Sequence, residues 1–163
     1  MKEQRLSLVY KMLIMIATCV VVGYISGELT KENRELWYPT LEKPVFNPPD
    51  WLFGPVWTLL YICMGIAAAL VWDRIEARRE DVRKALTFFW IQLALNAAWS
   101  FIFFGLANPL LALIEIVLLW LMIYETFIQF MKINKTAGYL FIPYILWVTF
   151  ALVLNASIWW LNR

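Results

Sequence analysis

Histidine is missing from all 163 residues, and with it go the commonest haem ligand, histidine-based catalytic triads and histidine-containing zinc sites. Only two cysteines are present, Cys19 and Cys63. Both lie in apolar runs and read as small buried residues, not as a disulfide pair. Charge is scarce too: acidic and basic residues make up 16% of the chain, for a net charge of +2. They sit in short stretches between hydrophobic runs, so no polybasic face exists for nucleic acid. Thr18 before Cys19 is a poor lipoprotein box, and no A-x-A site follows. The first apolar run therefore reads as a retained span, not as a cleaved signal. An inverted repeat, the usual basis of alternating access, is not recognisable.

What the chain has is hydrophobic length. Apolar residues make up 63% of it, more than a water-soluble domain of this size can bury. They fall in runs near the roughly 20 residues that cross a bilayer. The expected fold is all-α: a polytopic membrane protein, a single domain 1–163 with five transmembrane helices at about 6–24, 51–72, 85–104, 110–131 and 136–161. A long loop joins the first two. The charge run 73–84 is expected to be a solvated turn or helix extension, and Gly105 to Pro109 a tight turn between antiparallel neighbours. Pro143 falls inside the fifth span. Ten basic residues, among them Lys2, Arg5, Lys11, Arg78 and Lys132, fall on the amino-terminal side, against four on the other. The excess places the amino terminus in the cytoplasm and the first loop and carboxyl terminus outside, in a bacterial membrane.

The densest signal is the stretch Trp37 to Gly65, WYPTLEKPVFNPPDWLFGPVWTLLYICMG. Four prolines lie between Pro39 and Pro49, and Pro55 follows inside the second span. Each fixes its own φ, removes a donor and turns the preceding residue away from the α region. Aromatic residues are interleaved with them. The segment up to Asp50 is expected to be a stiff, non-helical lid, with Asp50 capping a helix from Trp51.

Polar groups inside apolar spans are costly and therefore informative. Gln92, Asn96 and Trp99 share one face of the third span; Tyr144, Trp147, Ala151 and Asn155 share one of the fifth; Trp57, Tyr61 and Gly65 share one of the second. Taken singly, Gln92, Asn96 and Asn155 read as interhelical glue. Taken together under an aromatic lid, the three stripes favour a largely apolar ligand pocket with a few orienting polar contacts. Glu115, deep in the fourth span, has two readings, helix packing or ligand and proton handling. Glu125 reads as reaching the surface, and Trp72, Trp159 and Trp160 as interfacial belt. Gly23 and Gly27 form a GxxxG that reads first as intramolecular packing.

These residues resemble the TspO/MBR family of translocator and tryptophan-rich sensory proteins along nearly the whole chain. Trp37-Tyr38, Leu41-Glu42-Lys43-Pro44 and Pro48-Pro49 are similar to its first loop, and Pro55-Val-Trp57 with Tyr61, Met64 and Gly65 to its second helix. Gln92 to Trp99 resembles its third, Ala112 to Glu115 its fourth, and Pro143-Tyr144 with Trp147, Phe150-Ala151 and Asn155 its fifth. The resemblance implies a cavity closed by the first loop, binding protoporphyrin IX, haem or benzodiazepine-site ligands. It also implies light-dependent porphyrin degradation in some bacterial members, with Trp57 and Trp147 in the catalytic positions. Ligand-binding positions carried over are Trp37, Tyr38, Phe46, Trp57, Tyr61, Gln92, Asn96, Trp99, Glu115, Tyr144, Trp147 and Ala151. Lys31, Arg34 and Lys43 would meet propionates at the mouth. Phe46 replaces the family's usual tryptophan, and Leu154 to Ser157 lacks the tyrosines of the animal sterol motif, which speaks against sterol binding.

The expectation is thus a membrane receptor or sensor for a tetrapyrrole, with no obligatory cofactor and the lipid bilayer as its surroundings. The alternatives are a transporter of porphyrins or other amphipathic solutes, and a scaffold dimerising through Gly23 and Gly27 or Ala94 and Ala98.

Overall fold

The computed structural model describes residues 6–163. Lys2 and Arg5, counted in the charge asymmetry, lie outside the described residues. Helix α1 (Leu8–Leu29) is followed by a short α2 (Lys31–Leu36) and a 3₁₀ turn (Tyr38–Thr40). Then come α3 (Asp50–Trp72), α4 (Arg79–Ser100) running into a π turn (Phe101–Gly105), α5 (Pro109–Ile133), α6 (Lys135–Tyr139) and α7 (Ile142–Leu161). Five helical stretches are long and apolar enough to cross a membrane, those of α1, α3, α4 with its π turn, α5, and α6 with α7. Their outward faces carry bare Leu13, Val21, Leu59, Leu118 and Leu146, as lipid rather than water requires.

Several boundaries differ from expectation for local reasons. The first span continues past Tyr24 to Leu29, because nothing between them ends a helix. Thr30 then turns the chain while its hydroxyl donates back to the Ser26 carbonyl at 2.9 Å. The lid is not wholly non-helical: a 3₁₀ turn takes up Tyr38–Thr40 with Pro39 in its first positions, where the missing N–H is tolerated. Asp50 is not the cap of α3 but its first residue, after Pro49 in extended conformation, and no side chain caps that end. Its carboxylate in the first turn still complements the helix dipole. Pro143 does not kink a continuous helix. It sits in the first turn of α7, where a missing N–H costs nothing, and a break after Tyr139 separates α6 from α7.

The turn between α4 and α5 is built as its sequence suggests. Leu106 N–H donates to the Phe101 carbonyl at 2.9 Å, the five-residue reach of a π turn. Ala107 takes the left-handed φ of 49°, and Asn108 accepts from Leu111 N–H at 3.0 Å with Pro109 next.

Long-range ties define the two ends of the bundle. At one, buried Lys11 pairs with Asp73 at 2.8 Å, and Arg78 donates to the Lys132 carbonyl at 2.6 Å. At the other, Asn33 donates to the carbonyls of Phe104 and Gly105 at 2.8 and 3.1 Å. There too the Asn162 side chain pairs both ways with the Glu42 backbone, at 2.9 Å each. The lid is therefore stapled to the ends of α4 and α7. Helices α1 and α3 meet closest: Gly65 lies on the Ile16 backbone and Gly23 under the Tyr61 ring, so a methyl group at either would collide. Gly23 is thus spent on packing within the chain.

Candidate functional site

Five expected site residues meet at the centre. Tyr61 of α3 donates to the Asn96 carbonyl oxygen at 2.6 Å, and Asn96 of α4 donates through Nδ2 to the Tyr144 hydroxyl of α7 at 2.8 Å. Tyr144 in turn donates to Gln92 Oε1 at 2.8 Å, and Gln92 Nε2 lies 3.9 Å from Met64 Sδ. Gln92 and Asn96 face the same way because they are one helical turn apart. Trp57 completes the group, tilted against Tyr61 with ring centres 5.7 Å apart and edge-on to Tyr144 at 6.3 Å. The amides and phenols thus satisfy one another, as buried polar groups must.

A second group lies under the lid. Trp99 stacks on Phe103 at 5.1 Å and donates to Asn155 Oδ1 at 3.0 Å; Asn155 donates to the Pro109 carbonyl at 2.8 Å. From the lid, Trp37 and Tyr38 both press edge-on against Phe103, and Tyr38 also against Phe104. Tyr38 is buried, donates to Asn47 Oδ1 at 3.1 Å, and carries the Lys43 ammonium over its ring at 4.6 Å. Burial, with the negative charge of Asp50 acting in the same direction, holds its phenol above the ordinary tyrosine range. Lys31 and Arg34 stay exposed on α2, whereas Lys43 is engaged with Tyr38.

Trp147 belongs to a separate run of rings that reaches the lid. It lies 5.9 Å from Phe53 and 5.5 Å from Phe150, and Phe150 meets Phe46 of the lid at 6.3 Å. Ala151, half-buried one turn on, packs against the same core. Among the described residues, the buried side-chain polar atoms without a partner are Trp147 Nε1 and both Glu115 carboxyl oxygens.

Two open, apolar grooves lie elsewhere. One of about 590 Å³ runs between Pro44 of the lid, Leu113 of α5 and the outer face of α7; another of about 330 Å³ lies between α1 and α4, against Ser26 and Ala97. Neither is lined by Trp57, Tyr61, Asn96 or Trp147. The central residues converge on one another and not on the expected interior hollow: their polar groups are spent on mutual hydrogen bonds, and neither groove lies between them.

Sequence reasoning missed the asparagines that hold the lid, Asn33, Asn47 and Asn162, which carry no periodic signal. It also missed Phe53 and Phe103 as packing partners. Phe103, four residues beyond Trp99, was open to a helical-spacing argument. Among the described residues no three His, Cys, Asp or Glu side chains group to hold a metal ion.

Comparison with known proteins identifies the family. Residues 15–161 match the model of the TspO/MBR family. The chain is 44% identical to the tryptophan-rich protein TspO of Chlorobaculum tepidum, over 91% of this chain and 94% of that one. It is 39% identical to the protein of the same name in Archaeoglobus fulgidus, over 94% and 98%. It is 37% identical to the translocator protein of Homo sapiens, over 76% and 73%. With five spans, a stapled aromatic lid and this coverage, the chain is a multi-pass integral membrane protein belonging to the TspO/MBR family.

Proposed function

We propose that this protein is a receptor for a metal-free tetrapyrrole such as protoporphyrin IX, held between α3, α4 and α7 beneath the lid. The observation that carries the reading is Trp147: its indole N–H is buried without a partner, in a run of rings from Phe53 through Phe150 to Phe46. A flat apolar ligand with a few acceptor oxygens suits such a lining, because ring faces give contact area and the spare N–H gives orientation. Binding exchanges some bonds of the central network for ligand contacts and lifts the lid edge around Pro44 and Phe46. Propionates would find Lys31 and Arg34 exposed on the lid. Haem fits less well, since the chain has no histidine and both central tyrosine hydroxyls are engaged. The basic residues at the Lys11 and Arg78 end support a cytoplasmic amino terminus, with the lid outside.

Under light, the pocket would support electron transfer. An indole at Trp57 or Trp147 gives one electron to the excited porphyrin, leaving an indole radical cation and a porphyrin radical anion. Dioxygen, the co-reactant, adds to a bridging carbon of the radical anion, and the resulting peroxyl species returns one electron to the indole radical cation. The indole is restored, and the neutral porphyrin–dioxygen adduct opens the ring with its two oxygens ending as carbonyls. The test is a titration of purified protein with protoporphyrin IX in the dark, followed by illumination. A protein-dependent Soret shift and slower ligand loss in Trp147→Phe are expected. Equal decay in wild type, variant and protein-free micelles would remove the enzymatic part, and no Soret shift would remove the receptor.

A further inference from the structure

Glu115 is the remaining buried group to which the structure gives no partner. It is 7% exposed, and neither carboxyl oxygen meets a donor among the described residues. It shares the inward stripe of α5 with buried Ala112, Ile116 and Leu119, so it faces the bundle and not the lipid. Two bonds fix what lies opposite. Asn155 donates to the Pro109 carbonyl and Trp120 donates to Thr149, each at 2.8 Å, so α5 and α7 run antiparallel. Glu115 falls between these ties, facing the stretch of α7 from Thr149 to Asn155 that holds Ala151. A carboxyl is a costly choice for packing against alanine, because burying it unsatisfied is unfavourable where an apolar residue would serve.

We infer that Glu115 is the acceptor for a ligand N–H: besides the tetrapyrrole, whose N–H groups point into its own ring, the pocket takes smaller planar heteroaromatic ligands that present an amide-type N–H at their edge to this carboxyl. The inference rests on the receptor reading above and extends its ligand class. Trp147 N–H and Glu115 then form a complementary pair, one offering a hydrogen and the other accepting one.

The experiment uses full-length protein in lipid nanodiscs and two planar probes that differ in a single donor, acridone and N-methylacridone. Affinities are read by fluorescence and by competition with protoporphyrin IX. Acridone is expected to bind wild type about tenfold more tightly than its N-methyl analogue, the size of one hydrogen bond to a charged or strongly polar acceptor. Glu115→Leu should abolish that preference by weakening acridone alone, and Glu115→Gln, which keeps a carbonyl acceptor, should retain part of it. Equal affinities in wild type overturn the inference while leaving the pocket intact. A preference that survives in Glu115→Leu also overturns it, since the methyl group would then be acting by bulk. If neither probe nor protoporphyrin IX binds above the level of empty nanodiscs, the receptor reading falls and takes this one with it. Should Glu115→Leu fail to fold, the wild-type pair and Glu115→Gln still decide.

Discussion

Asn96 and Tyr144 are joined across the α4–α7 interface by a 2.8 Å hydrogen bond, and each holds a second partner, Tyr61 for the one and Gln92 for the other. One carboxamide and one phenol thereby tie three spans into a single polar knot. Tyr144→Phe leaves Asn96 Nδ2 and Gln92 Oε1 short of a partner in an apolar core. The expected loss is about 1–2 kcal/mol, between the usual cost of an unsatisfied buried group and the smaller values typical within membranes. Thermal unfolding in detergent checks this, and an unchanged midpoint would show that the knot contributes little.

The lid is held at Glu42 by Asn162. Asn162→Ala removes both bonds and leaves the pocket residues untouched. Association and dissociation of protoporphyrin IX should both quicken, by several-fold, with little change in affinity. Stopped-flow fluorescence reads the two rates separately. A weaker affinity carried by faster dissociation alone would place Asn162 in the binding surface instead.

The α1–α3 contact depends on bare backbone at Gly65. A methyl group there meets the Ile16 backbone, which cannot move aside as a flexible side chain would. Gly65→Ala should cost about 1–3 kcal/mol by overpacking. Gly54→Ala, with open space around it, is the control and should be close to neutral. Equal melting of the two variants would contradict the close approach.

Lid closure should weaken at high pH. Burial, aided by Asp50, raises the Tyr38 phenol in the closed lid. An opened lid returns it to the ordinary value of about 10. Closure is then at full strength below that pH and is lost as pH rises through the higher closed-state value. A nitroxide label at E42C, with Cys19 and Cys63 replaced by alanine, should gain mobility as pH rises past about 10. In Tyr38→Phe that rise should vanish; an identical rise would assign it to another group.

How much of this was legible beforehand follows from what periodicity can and cannot express. Five spans were readable because each needs a long apolar run, and the inward faces of α3, α4 and α7 because Trp57/Tyr61, Gln92/Asn96 and Tyr144/Trp147 repeat at helical spacing. Spacing says which residues share a face, but not how far they reach. That Tyr61, Asn96, Tyr144 and Gln92 bond one another was therefore invisible. Helix ends were read less well. The sequence marks an end near Tyr24 where α1 runs on to Leu29, and Pro143, inside the fifth apolar run, stands in the first turn of α7. The lid staples at Asn33 and Asn162 join residues 71 and 120 positions apart, a pairing no local pattern records.

The central claim is that rings and polar groups from separate spans form one ligand site beneath the lid. Its most direct test is a protoporphyrin IX titration of wild type, Trp147→Ala and Trp57→Ala in nanodiscs, read by the Soret band. The account predicts a saturable shift in wild type, and affinities at least about tenfold weaker in both variants, in line with truncating a buried aromatic anchor. A shift of the same size and midpoint in wild type, both variants and empty nanodiscs would contradict it.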